Sequence, residues 1–314
     1  MKLFDLLLSD LAHKYSAFKF INDRGWQGFD GLQWVTPEHL NFTDWNEIKN
    51  SIFKITNKSD SEFLYLKSEW VYGFFKNQVT KINLNLEEMS VYLEISGHNE
   101  NSFLSWNLNP HRINSVFRSG QVIVLLGGPA QGQLALTQIF SKQVKDLNWY
   151  VQLGQAPKII MPNQLVAVTQ DVGENLKSLI ELSFLGATLI VTSGISSADL
   201  ALSILREHWS DSVWKALASQ ITFIETRFLP GLRGRGEYFC SYLPLSQVDK
   251  SVLDKNSTSY LSHWVESQTV VTDLLSLNQA LIQGVIRRHI DLKTAFIASP
   301  DPDRLDEQLK RIGV

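Results

Sequence analysis

Residues 125 to 137 read LLGGPAQGQLALT, and here Gly127 and Gly132 stand with four residues between them, directly after the apolar run QVIVLL. This is the glycine spacing of a phosphate loop, GxxxxGK[ST]. In such a loop backbone N–H groups and a helix N-terminus cradle phosphates, a lysine reaches the β- and γ-phosphates, and a hydroxyl holds Mg²⁺. Gly127, Gly128 and Gly132 supply the backbone half of that chemistry. The side-chain half is missing, because Gln133 and Leu134 occupy the positions of the lysine and the hydroxyl. Losing the lysine removes a charge-assisted contact to a polyanion, the strong class of hydrogen bond. Taken alone, two glycines at this spacing fit an ordinary strand-to-helix turn as well as a phosphate loop.

Other chemistry-bearing residues are sparser. Asp171 and Glu174 follow the apolar run QLVAV and read more simply as helix-dipole partners or solvated charges than as catalytic carboxylates. None of the seven histidines forms an HxxxH or HxH pair, so no metal site is expected. Arg227, Arg233 and Arg235 surround the glycine-rich stretch PGLRGRGEYF, read as a solvated hairpin tip with a contact to a neighbouring subunit as the functional alternative. Trp209 and Trp214 read as core.

The elements that must position the loop follow from the patterning. Between residues 15 and 96 short aromatic-rich runs, AFKFI, LQWV, EFLYLK, WVYGFF and SVYLEIS, predict a small α+β domain. Leu3, Leu7, Leu8 and Leu11 predict an amphipathic helix before it. The polar stretch SGHNENSFLSWNLNP predicts a linker, giving domains at 1–100 and 113–314 joined by residues 101–112. Beyond it the continuous apolar runs VIVLL, QLVAV and TLIVTS, separated by helix-like segments, read as buried parallel strands with crossover helices. From about residue 205 the pattern turns mostly helical, broken by a hairpin between TFIETRFL and EYFCSYLPL, and closes on the charged amphipathic DPDRLDEQLKR.

Composition narrows the function classes. Net charge is −3, and the 29 basic residues are scattered, so no nucleic-acid or anionic-membrane surface is expected. A single cysteine, Cys240, excludes an internal disulfide and suits a reducing, cytoplasmic setting. The N-terminus MKLFDLLLSDLAHKY is unlike a signal peptide, and no run approaches the roughly 18 apolar residues of a spanning helix.

With its flanks, the loop resembles that of the PilT-like family of type IV pilus retraction and secretion ATPases. RSGQVIVLLGGPAQG keeps the family's Arg-Gly-hydrophobic lead, as Arg118, Gly120 and the strand to Leu126. The stretch PNQLVAVTQDVGENLKSLIELSFLGATLIVTSGISSADLALSIL is similar to the family's Walker B region and the segment after it, keeping Pro162, Gly186, Thr192, Ser196, Ser197 and Ala198 in register. SLNQALIQGVIRRHIDLKTAFIASPDPDRLDEQLK resembles the family's closing helices. The resemblance covers about residues 110 to 310. It implies an α/β fold, a RecA-like P-loop core with a parallel sheet and a helical C-terminal region, preceded by a small PAS-like α+β domain.

The resemblance also implies which catalytic groups are gone. The family's acidic box falls on VQLGQA, so Gln152, Leu153 and Ala156 replace its carboxylates. Its Walker B glutamate falls on Thr169, the aspartate before that strand on Asn163, and a later histidine on Gly194. The family's N-terminal arginines have no counterpart in YGFFKNQVTKINLNLEEMSVYLEIS, and SAFKFINDRG lacks the family's Asp-Leu-His-Leu signature. Phosphoryl transfer to water needs cations, Mg²⁺ and a carboxylate for the nucleophile, each contributing a few kcal/mol. The expectation is therefore a pseudo-ATPase without catalytic residues, metal or cofactor, with weak or no ATP and Mg²⁺ binding. Its expected partners are a pilus motor ATPase or an inner-membrane platform protein, in a homo- or hetero-hexamer, in the cytoplasm or peripherally at the inner membrane. Two alternatives stand beside it: an active ATPase using unorthodox residues, and a nucleotide-free accessory of another secretion complex.

Overall fold

A computed structural model describes residues 2–7, 11–38, 40–59, 62, 71–75, 78–95, 106, 120–146, 150–153, 164–169, 183, 186, 188–208, 210–254, 260–268 and 274–313. By its contacts the chain divides into two units. The first holds Met1–Asn101 with Ala130–Gln138 and Phe228–Glu237, and the second holds Ser102–Pro129, Ile139–Arg227 and Tyr238–Val314.

In the first unit, alternation of apolar and polar residues builds an antiparallel sheet from β1 (Ala17–Ile21), β2 (Gly25–Phe29), β3 (Trp34–Val35), β4 (Val71–Phe75), β5 (Gln78–Asn85) and β6 (Ser90–Ile95). The strand order is β3-β2-β1-β6-β5-β4. Two helices are described, α1 (Lys2–Asp5) and α2 (Trp45–Thr56). Asp44 caps α2 by accepting from Asn46 N–H at 2.9 Å, and Ile48, Ile52 and Ile55 recur on its buried face. They share a core with Phe18, Phe20, Ile82, Val91, Leu93 and Ile95. Leu3 and Leu7 join that core as expected, but regular α-helix ends at Asp5, and Leu8 lies outside the described residues. EFLYLK lies almost wholly outside them too. β2 and β5 were not among the expected strands. β2 carries two glycines, and a Cβ at Gly28 would sit 2.8 Å from the Tyr15 ring, so packing rather than strand propensity sets that residue.

The second unit is built on β7 (Val122–Leu126), which leads to α3 (Gln133–Asp146), the first turns of which belong to the first unit. β8 (Tyr150–Leu153), β9 (Gln164–Thr169) and β10 (Thr188–Ser193) follow, then α4 (Ala198–His208) and α5 (Asp211–Ala218). β11 (Ile221–Pro230), β12 (Gly236–Cys240) and β13 (Leu243–Pro244) complete a sheet of order β12-β11-β7-β10-β9-β8, with β13 on β11. The ladders linking β8, β9, β10, β7 and β11 are all parallel, and the continuous apolar runs of β7 and β10 are buried on both faces, as suits such a sheet. The chain beyond residue 205 is less purely helical than expected. The first arm of the hairpin is a ten-residue strand that pairs directly with β7 in the sheet.

Val122, Val124, Leu126, Leu189, Val191 and Phe223 pack with Ala201, Leu202 and Leu205 of α4 and with Trp214 of α5. Trp214 is core as expected, its Nε1–H donating to Leu253 O at 2.6 Å; Trp209 lies outside the described residues. The chain then runs through α6 (Lys250–Leu253), α7 (Leu261–Ser267), α8 (Leu277–Ile286), α9 (Leu292–Ala298) and α10 (Pro302–Ile312). Their starts are chemically marked: Ser276 and Gln279 form a reciprocal capping box on α8, Asp291 caps α9, and Asp301 followed by Pro302 starts α10. Among the described residues no helix is long and apolar enough to cross a membrane.

Candidate functional site

Parallel strands bring their C-terminal ends to one edge of a sheet, where the following loops gather. In register, Leu125 of β7 pairs with Thr192 of β10, and Thr192 with Thr169 of β9. Leu153 of β8 pairs with Ala167, and Glu225 of β11 with Leu126. The edge thus carries, in backbone position, three expected site residues: Gln152 and Leu153 near the end of β8 and Thr169 at the end of β9. Asn163, Ala156, Asp171 and Glu174 lie outside the described residues.

The glycine loop leaves β7 at Gly127, whose N–H donates to Ser193 O at the end of β10, 3.3 Å away. Gly128 is half-buried, and the chain turns through two left-handed residues, Ala130 at φ 62° and Gly132 at φ 94°. Glycine meets this demand freely at 132, whereas alanine at 130 costs about 1 kcal/mol. α3 then starts at Gln133 and Leu134, with Leu136 N–H bonding to Gly132 O at 3.0 Å. Gln133 is half-buried, and Leu134 is only 7% exposed. Strand, glycine turn and helix start therefore follow one another in the order of a phosphate loop, with the aliphatic Leu134 side chain buried in the first turn of the helix.

Two side chains that sequence reasoning missed fix this loop within the first unit. Glu94, on β6, accepts backbone hydrogen bonds from Ala130 and Leu134, and is 5% exposed. Burial pushes its carboxyl above the usual glutamate range, partly offset by the charge of Lys81 and by those two N–H donors. Lys81 lies directly opposite Glu94 in the β5–β6 ladder. Gln131 donates from Nε2 to Gly31 O at 3.2 Å and accepts at Oε1 from Phe228 N–H at 3.0 Å. Gly31 has φ 105°, and a Cβ there would lie 1.9 Å from Phe228 O, so only glycine permits this close approach.

A third residue, Glu225, sits in the second unit beside Leu126. It is 1% exposed, its Oε1 accepts from Ala198 N–H at the start of α4 (2.8 Å), and its own N–H donates to Ser241 Oγ (2.8 Å). Burial raises its pKa, opposed by the Ala198 hydrogen bond and then by the charge of Arg227. A charged residue inside the apolar run ITFIETRFL was the available signal for it. Arg227 is not a hairpin-tip residue: its guanidinium donates to Thr226 O (2.8 Å) and Ser196 O (2.9 Å), whereas Arg233 and Arg235 are exposed at the turn. His263 bonds Asp301 Oδ2 at 2.8 Å.

A strand-loop-helix of this shape on a largely parallel sheet, after an α+β unit, defines a RecA-like ATPase fold. Solved structures bear this out along nearly the whole chain. The ATPase DotB of Legionella pneumophila aligns with TM-score 0.57 at 13% identity, covering 90% of each chain. DotB of Yersinia pseudotuberculosis gives 0.59 at 12%, covering 96% of this chain and 92% of that one. The pilus retraction motor PilT, solved with bound ADP, gives 0.59 at 12%, covering 98% and 99%. No protein-family model and no curated protein sequence matches the chain. The fold is thus that of the PilT and DotB ATPases.

Proposed function

We propose that the chain is a catalytically inactive relative of the retraction and secretion ATPases. It serves as a regulatory or scaffolding subunit that binds a pilus motor ATPase or an inner-membrane platform protein, without a cofactor of its own. The observation that carries this reading is the loop itself: its left-handed turns and helix start are kept, while the metal-hydroxyl position holds buried Leu134 and the lysine position Gln133. Thr169, Gln152 and Leu153 at the strand ends add no carboxylate. The first unit, an antiparallel sheet with one long helix, is read as the PAS-like domain of such a protein. A ring of six subunits, of one or two kinds, is its expected setting.

The test is ATP binding to the purified protein by calorimetry and thermal shift, with and without Mg²⁺. A ligand at a hundred times its Kd stabilises the native state by about 2.7 kcal/mol, well within reach of the assay. No binding is expected, together with co-elution of a purified pilus motor ATPase. Saturable, magnesium-dependent binding with turnover overturns the reading. Co-elution with a secretion ATPase and not with a pilus motor would instead identify the chain as an accessory of another secretion complex.

A further inference from the structure

β6 shows what an exposed sheet face looks like when something covers it. Val91, Leu93 and Ile95 alternate onto the core face, which leaves Tyr92 and Glu94 on the other. A carboxylate on that face belongs in water, yet Glu94 is 5% exposed. Its oxygens are instead engaged by the N–H groups of Ala130, in the loop, and of Leu134, in the first turn of α3. These donors point inward because Ala130 and Gly132 take positive φ, the alternation of backbone hand that forms an anion nest, and because the helix start adds its partial positive charge.

We propose that the Glu94 carboxylate is the built-in ligand of the phosphate loop, occupying the anion cradle at Ala130 and Leu134 so that a phosphate group enters only by displacing it. The inference deepens the proposed function and rests on its assignment of residues 127 to 134 as a phosphate loop. It accounts for three features that a mere loss of catalytic side chains does not explain. The loop keeps a left-handed, costly alanine because Glu94 satisfies the donors that this conformation creates. Gln131 does not face a ligand, since both ends of its amide are spent on Gly31 and Phe228 of the same unit, which holds the loop closed over Glu94. Lys81, across the ladder from Glu94, supplies the nearby positive charge to a carboxylate rather than to a phosphate. The seated carboxyl offers the cradle what a phosphate would, acceptor oxygens for its two N–H donors.

Inorganic pyrophosphate, titrated calorimetrically into the wild type, Glu94→Ala and Glu94→Gln, tests this. The alanine variant should bind at least about tenfold tighter than the wild type, with glutamine between the two. Equal affinity in all three, or none in any, overturns the proposal. Should Glu94→Ala fail to fold, hydrogen exchange on the wild type decides: the Ala130 and Leu134 amides must be protected at least about tenfold without any ligand, and exchange at the intrinsic rate overturns it. The outcome is separable from the proposed function, which falls if the wild type binds and hydrolyses Mg-ATP, whereas this inference falls on a difference between variants.

Discussion

Glu94 of the first unit and Glu225 of the second use one physical device in two settings. Each is a buried strand carboxylate that meets backbone N–H groups at the start of a helix, Glu94 at α3 and Glu225 at α4. In both, burial raises the carboxyl pKa and the helix-end donors pull it back. What differs is the receiving backbone. Ala198 opens an ordinary helix after a short turn, so Glu225 acts as a remote cap. Ala130 and Leu134 belong to a loop with two left-handed residues, a shape made for an anion, so Glu94 fills a receptor. A helix N-terminus takes any satisfied acceptor, whereas a nest with two left-handed residues asks for an acceptor at one place.

The largest expected effect comes from breaking the support under the first of these settings. Gly31→Ala forces a Cβ to 1.9 Å from Phe228 O at a φ of 105°. The strand and loop backbones must separate, taking the Gln131 bridge with them, and the cost is expected to exceed about 3 kcal/mol. Chemical denaturation should show the loss; a midpoint unchanged from wild type would mean that the Gly31, Gln131 and Phe228 network does not hold the loop.

Removing the second carboxylate is expected to cost less. Glu225→Ala leaves Ala198 N–H unbonded in a dry site and opens a cavity, about 2–3 kcal/mol together. Glu225→Gln keeps an acceptor and separates charge from hydrogen bonding. Because burial raises the folded pKa of Glu225 above the ordinary 4.5, the native state holds a proton that the unfolded chain releases. Wild-type stability must therefore fall as pH rises from about 4.5 through the raised value, then level off. The glutamine variant should lose Glu225's share of that decline, leaving Glu94's, which has the same sign. Asp249, Asp291 and Asp301 act oppositely, since hydrogen bonds lower their pKa below the ordinary 3.8 and their contribution is lost as pH falls further. Identical stability-pH curves for wild type and Glu225→Gln would remove the charge from the comparison.

How far each setting was legible in the sequence follows from what a strand's two faces meet. β7, β9 and β10 declare themselves as apolar runs, which in β7 and β10 are buried on both faces, and the loop after β7 declares itself through its glycines, of which Gly132 meets a left-handed φ. The hairpin of β11 and β12 was visible from PGLRGRGEYF, but the pairing of β11 with β7 was not, since partner choice lies in long-range register. β5 was missed because Thr80, Ile82 and Leu84 alternate with Lys81 and Asn83, too polar a run to stand out. Glu94 was invisible for a different reason. SVYLEI reads as a strand with one wet face, and nothing local in it tells that residues forty positions on, Ala130–Gln138, belong to the same unit.

The smallest expected effect sharpens the same contrast between backbone and side chain in the loop. Gln133→Lys with Leu134→Ser restores the two side chains that a working phosphate loop has, and is expected to give no measurable ATP hydrolysis. The reason lies in two places. The cradle amides of Ala130 and Leu134 stay engaged by Glu94, so the new lysine faces a cradle that is already filled. The strand ends still carry Gln152, Leu153 and Thr169, and none of these side chains supplies a negative charge to a metal or takes a proton from water. Adding Glu94→Ala to the pair should admit phosphate and still give no turnover, because the proposed block to binding and the proposed lack of a catalytic carboxylate lie at different residues. Turnover by the double variant alone, followed by phosphate release, would put a working carboxylate elsewhere and reduce Glu94 to a cap like Glu225.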